Sequence, residues 1–132
     1  MKILDAPLMF VWYDMIDSGE KPEEYREIKP YWFKRLVVYD PELYENGNPI
    51  PTYFGNSTAF DTPAKAISWD IDMAGALEFK QFTHVRFRRG YTKTTMLFEI
   101  KGMSIGIGDP KWGAPKEKEV FIIKLGKRIC EK

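Results

Sequence analysis

The sequence contains a single cysteine, Cys130, and a single histidine, His84. One cysteine excludes both a disulfide framework and a cysteine-rich zinc site, so the fold has to hold by packing. One histidine, with no Asp or Glu cluster at ligand spacing, gives no reason to expect a metal, and no cofactor is implied. Long apolar runs are missing as well: no stretch approaches the roughly 18 residues that a spanning helix needs. The opening residues "MKILDAPLMFVWYDMI" carry Asp5 inside their apolar run, which makes a poor signal peptide. Together these absences set the expectation of a soluble, cytoplasmic protein with no membrane partner, in which the "NST" at 56–58 is a chance sequon. A large charge of either sign is also lacking, and the net +1 argues against a grossly basic nucleic-acid binder. There is no internal repeat. The glycines of "GIGDPKWG", 106–113, lack the GK[ST] ending of a phosphate cradle and read as a turn. No second histidine or activated cysteine completes a nucleophilic arrangement around the serines and threonines.

What the chain does have is apolar and aromatic bulk. With 132 residues, 44% of them apolar and 15% aromatic, it can fill one core, and a single domain over 1–132 is expected. The near-neutral charge hides an asymmetry. Residues 1–80 carry 8 Lys or Arg against 14 Asp or Glu, whereas residues 81–132 carry 12 against 5. A polarised surface of this kind recruits an anionic ligand locally; the same asymmetry also fits two halves that attract each other.

Hydrophobic periodicity places the elements. "KILDA" suits a first strand. Pro7 stands where a first helical residue is tolerated, and Met9, Trp12, Tyr13 and Ile16 recur on one helical face, with Gly19 as a left-handed cap, so a helix over about 7–18 is expected. "KPEEYREIK" reads as a strand entered from a glycine turn. "YWFKRLVVYDPELY" reads as a turn of helix and then a strand around Leu36–Tyr39. Residues 40–63 are rich in proline, asparagine and glycine and form a long loop whose aromatic residues pack it down over the body. A strand around Ala66–Ile71 followed by a helical turn is expected next. "FTHVRFRRGYT", "TTMLFEIKGMSIGIG" and "EVFIIKLGKRI" then read as three successive strands. The absence of βαβ alternation favours an α+β fold, a small mixed barrel with helices at its ends.

The densest polar patch is "GEKPEEYR". In an extended segment Glu24 and Arg26 share one side, and Lys21 joins them through the turn at 19–22. This spacing fits the rim of a site; it also fits an edge strand with solvated charges. A lysine between a carboxylate and a guanidinium is tunable: Arg26 favours the neutral amine, a base, and Glu24 and Glu99 favour the ammonium, which holds phosphate or polarises a carbonyl. Glu99, opposite in parity to Phe98 and Ile100, is a candidate general acid or base, or else a strand-fastening ion-pair partner. "HVRFRRGYTK" is the best nucleic-acid feature. His84, Arg86 and Arg88 alternate onto one strand face, with Tyr91 and Lys93 at the turn and no acid between them. A solvated face opposite Val85 and Phe87 is the plainer account of the same pattern.

Gly19, Lys21, Glu24 and Arg26 match, position for position, the GxKxxExR signature of the ASCH domain, and the helix before and strands after are compatible with it. The chain resembles a bacterial-type ASCH member over about 1–39 and 81–129, with 40–80 as a variable insertion. The resemblance implies a PUA-like β-barrel with a cleft beside the signature, and RNA or a modified nucleoside as partner. The leading expectation is a binding module that holds RNA or a base in a cleft bounded by Lys21, Glu24, Arg26 and Glu99, with Gly19 in the signature turn and with Arg86, Arg88 and Tyr91 of the alternating strand face serving the phosphates and a base. One subgroup acts as an amidohydrolase on N4-acetylcytidine with a lysine at the place of Lys21, a threonine at the place of Glu24 and a glutamate matching Glu99. Here Glu24 has no hydroxyl to offer, so catalysis by Lys21, Glu24 and Glu99, as amidohydrolase or ribonuclease, stands as the alternative to binding. A protein-interaction role for the aromatic loop 40–63 is a third.

Overall fold

The computed structural model describes residues 1–39, 53–54 and 62–131. Along the chain run β1 (Ile3–Leu8), α1 (Phe10–Asp17), β2 (Glu23–Arg26), α2 (Pro30–Leu36), β3 (Val37–Val38), α3 (Pro63–Asp72), β4 (Glu78–Phe79), β5 (His84–Arg89), β6 (Thr95–Ile107), a 3-10 turn (Pro110–Trp112) and β7 (Glu119–Ile129). The α+β expectation holds at this level. The chain divides into two compact units, Met1–Tyr25 with Gln81–Lys132, and Arg26–Lys80. The second unit thus begins ahead of the insertion expected at 40–80.

The first unit is built on a curled, half-barrel sheet of strand order β1-β5-β6-β7-β2. The three late strands form where alternation placed them. β5 and β6 pair antiparallel from His84↔Glu99 to Arg88↔Thr95, and β6 and β7 from Leu97↔Ile129 to Ile107↔Glu119. Val85 and Phe87 of β5 and Met96 and Phe98 of β6 are buried, while Tyr13 and Ile16 of α1, which packs on β5, close the core. Register shifts between Phe98 and Gly102 bend β6 and add twist, which is how a long strand curls. β2 joins the sheet beside β7, and the Leu125 amide donates to the Pro22 carbonyl at 3.1 Å.

Two expectations in this unit are corrected. Pro7 does not open the helix. It lies in β1, aligned with Arg88 in a parallel register, because β1 is the sheet's edge, where a missing N–H costs no ladder bond, and the burial of Leu4, Ala6 and Leu8 extends the strand through it. Met9 is 69% exposed, so the buried stripe of α1 starts later than the periodicity implied. Gly19 does take the left-handed conformation, φ +86°, and its amide donates to the Ile16 carbonyl.

In the second unit α2 runs into β3, which pairs antiparallel with β4. Trp32, Phe33, Leu36, Val37, Ile67 and Leu77 are buried. Phe33 meets the Tyr53 ring at 5.2 Å, and Tyr53 donates to Asp70 Oδ2 at 2.5 Å. The strand expected at Ala66–Ile71 is helix. Thr62 accepts from the Lys65 amide and Pro63 occupies the first turn, a helix-start signal that outweighs the β-branched run, and Ala64, Ala66 and Ile67 form the buried face. Apart from Tyr53, Phe54, Thr62 and Pro63, the loop 40–63 lies outside the described residues.

One glycine of the first unit is required by packing rather than by φ. A Cβ on Gly108 would stand 2.6 Å from Ala114 Cβ and 2.7 Å from the Tyr25 ring. Gly108→Ala is expected to destabilise by about 1–3 kcal/mol. Gly102→Ala, where a Cβ meets nothing within 4 Å, is expected to stay within about 0.5 kcal/mol. Urea midpoints of the two variants make the comparison.

Candidate functional site

The strand β2 and the glycine turn before it carry the sequence's densest polar patch inward. Lys21 is 1% exposed and Glu24 5%. The Lys21 Nζ lies 3.2 Å from Glu24 Oε1 and donates to the Trp112 carbonyl at 2.5 Å. It also stands 4.4 Å from the Tyr25 ring centroid and 5.6 Å from that of Trp12. A carboxylate, a carbonyl and aromatic faces are the partners an ammonium takes, and in a dry setting each is stronger than in water.

Local sequence explains how the enclosure closes. The Lys21 amide donates to the Met15 carbonyl, pinning the turn after α1. Asp109 accepts from the Lys111 amide and starts the 3-10 turn that presents the Trp112 carbonyl. Gly113 takes φ +100°, and a Cβ there would sit 3.0 Å from the Trp12 indole. The Tyr25 hydroxyl accepts from the Asp109 amide at 3.0 Å, and its ring lies against Gly108 and Ala114. The segment 108–114, which reads from sequence as turn chemistry, is thus the lid of the lysine's enclosure. Trp12, Tyr25 and Trp112 are the residues that sequence reasoning missed as a group; the only signal was the aromatic bulk and the glycines beside it.

The other predicted residues have separate settings. Arg26 is half-buried, with its guanidinium 4.6 Å over the Trp32 ring inside the second unit. Gly19 terminates α1. Glu99 is half-buried on β6, aligned with His84, and its Cβ lies 3.4 Å from where a Gly126 Cβ would be. The register puts His84, Arg86 and Arg88 on the sheet face opposite Val85 and Phe87, as their alternation implied. Acids do meet Arg86, although none interrupts it in sequence. Its guanidinium donates to both oxygens of Glu131, at 3.3 and 2.7 Å, with Asp5 at 3.8 Å. That bond holds the Glu131 carboxyl below its ordinary range. Arg88 is exposed and donates to the Thr92 carbonyl at 3.1 Å. Tyr91 is wholly exposed at the tip of the β5–β6 hairpin. Among the described residues no group of three or more His, Cys, Asp and Glu could hold a metal ion. No described helix is long and apolar enough to cross a membrane.

Chemically, the Lys21 enclosure fastens three segments: the end of α1, β2 and the 108–114 turn. With 1% of Lys21 exposed, its Nζ is closed to ligand in this arrangement. Lys21→Met removes the enclosed ammonium 3.2 Å from the buried Glu24 carboxylate, and the expected loss of stability is about 3–5 kcal/mol, with Lys21→Met/Glu24→Leu recovering much of it. A lysine on a solvated rim would cost under about 1 kcal/mol, and chemical denaturation of the two variants separates these cases.

Burial, with a smaller contribution from the Glu23 carboxylate, pushes the Tyr25 phenol up to about 12 from 10.0, against the opposing amide bond from Asp109. Between those values the unfolded chain has released this proton and the fold still holds it. Stability is therefore expected to fall as pH rises from about 10 to about 12. Tyr13, raised mainly by burial, acts in the same sense, so Tyr25→Phe is expected to shallow the alkaline slope without removing it, as denaturant midpoints across that range would register.

Comparison with family models, curated proteins and solved structures finds no match for this chain.

Proposed function

We propose that the chain is an RNA-binding module of the ASCH, PUA-like type, and that it meets RNA on the outer face of β5 and the hairpin that follows. The observation that carries this reading is the row His84, Arg86, Arg88, set outward by the burial of Val85 and Phe87 and ending at the exposed Tyr91. Guanidinium groups in a row suit phosphates spaced along a backbone, and an exposed ring suits a base. The GxKxxExR match supports the family assignment, with Lys21 and Glu24 as the buried fastening of the fold rather than the ligand contact.

No observation favours the amidohydrolase or ribonuclease alternatives. The carboxylate of Glu24 stands where the acetylcytidine-specific subgroup needs a hydroxyl, and it is engaged by an enclosed lysine. The protein-interaction alternative rests on the loop 40–63, most of which lies outside the described residues.

The test is the salt dependence of RNA affinity, followed by fluorescence anisotropy from ~50 to ~300 mM salt. Affinity is expected to fall steeply, and Arg86→Ala/Arg88→Ala to reduce the slope of log K against log salt by roughly 1.4 to 1.8, two phosphate contacts at about 0.7 each for a single strand or about 0.9 each for a duplex. Glu131→Gln, which weakens the hold on Arg86, is expected to tighten binding at low salt. Salt-insensitive binding, or a slope indifferent to the arginines, overturns the reading.

A further inference from the structure

Resting on the RNA reading above, we infer that the corner where the first turn of α1 meets the tip of the β5–β6 hairpin is a stacking platform for unpaired bases, so that the ligand is single-stranded RNA rather than a duplex. The corner is contiguous. The Gly90 amide donates to the Leu8 carbonyl at 2.7 Å, tying the hairpin to the start of α1. Gly90 has φ +57°, and a Cβ there would lie 2.5 Å from Phe10 Cε1, so the phenyl ring rests directly on the glycine backbone. The Arg89 guanidinium covers that ring at 4.1 Å and is itself held by both Asp14 oxygens, at 2.9 and 3.0 Å.

Around this fixed pair the surface is apolar and open. Met9 is 69% exposed, Phe10 50%, Val11 49%, and Tyr91 is wholly in solvent. Tyr91 does not hang from a loose loop. The tip is braced by bonds from the Thr92 amide and hydroxyl to the Arg89 carbonyl, at 3.1 and 2.6 Å, and from the Arg89 amide to the Thr94 carbonyl at 2.9 Å. Tyr91 buries no apolar area on folding, so its whole ring face is left for a partner to cover. A planar partner fits that face.

Charge selects the partner's sign. Arg88 and Lys93 flank Tyr91, and among the described residues neither has an acid partner, while Arg89 is matched by Asp14 alone. The surroundings are therefore cationic and suit a polyanion with flat apolar faces. A single-stranded nucleic acid has both, whereas a duplex hides its base faces in its own stack. An anionic bilayer offers charge but no planar partner. The apolar exposure covers one turn of an eight-residue helix whose other exposed positions include Asp14 and Asp17, a poor interfacial helix.

The experiment measures anisotropy of a fluorescein-labelled ten-nucleotide oligouridine, an RNA hairpin duplex of similar length, and sedimentation with phosphatidylserine vesicles. Full-length wild type, Tyr91→Ala and Tyr91→Phe are compared. The single strand is expected to bind at least about ten-fold tighter than the duplex. Tyr91→Ala is expected to weaken it roughly ten-fold, within the range of one lost base stack, without changing the salt slope, and Tyr91→Phe to stay within about two-fold. Equal affinity for duplex, or indifference to Tyr91→Ala while the arginine-dependent salt slope persists, overturns the platform and leaves the RNA reading standing. Absence of binding to either RNA, with or without vesicle binding, overturns both.

Discussion

The first unit depends on a cation in a dry place. Removing an ammonium and a carboxylate from water costs several kcal/mol for each ion even after relaxation, and their attraction offsets this only when the remaining hydrogen-bonding capacity is met. The Lys21 enclosure meets it with groups from distant parts of the chain: Glu24 on β2, the Trp112 carbonyl, and the rings of Trp12 and Tyr25. That requirement explains features that look unrelated in sequence. Gly113 yields room to Trp12, Gly108 yields room to Tyr25, and Asp109 both starts the turn and satisfies the Tyr25 hydroxyl. Each would be an ordinary loop residue without the lysine to close over.

The charge asymmetry along the chain has a comparable structural meaning. Acids of the first segment of this unit meet arginines of the second: Asp5 with Arg86, Asp14 with Arg89, Asp17 with Arg128. The attraction between halves that the sequence left open is therefore realised, although at exposed positions, where each pair contributes little by itself. It also sorts the basic residues. Arg86 and Arg89 are held in place by acids, whereas Arg88 and Lys93 have no acid partner among the described residues. A basic run that reads as uniform in sequence becomes two fixed arginines and two freer cations.

The late strands were legible because alternation, glycine punctuation and β-branched residues all agreed over β5, β6 and β7. Lys21 and Glu24 stand out in the sequence as members of a dense polar patch, but parity within an extended segment does not tell a solvated rim from a buried one. The difference comes from Trp12 and Trp112, about a hundred residues apart in sequence, and no local pattern encodes that meeting. Pro7 and Ala66–Ile71 were misread for opposite reasons. At Pro7 a favourable local helix-start rule yielded to the edge position of β1, which only the sheet order reveals. At Ala66–Ile71 the local helix-start signal of Thr62 and Pro63 prevails in the fold, and weighing Ile67 and Ile71 as strand formers misses it.

Burying Lys21 shifts where ligand chemistry can sit. A side chain with a carboxylate, a carbonyl and aromatic faces around it has little left for an incoming phosphate, and a ligand that took those places would dismantle the turn that presents Trp112. Interaction is then cheapest where the fold is already complete and the side chains face water. The outer row of β5 and the braced hairpin tip meet that condition: the sheet fixes the arginines' spacing, Gly90 fixes Phe10, and Tyr91 needs no rearrangement to accept a flat partner. Little ordering entropy remains to oppose association there. On the proposed reading, the enclosed cation fixes the frame and the exposed hairpin offers the preorganised surface.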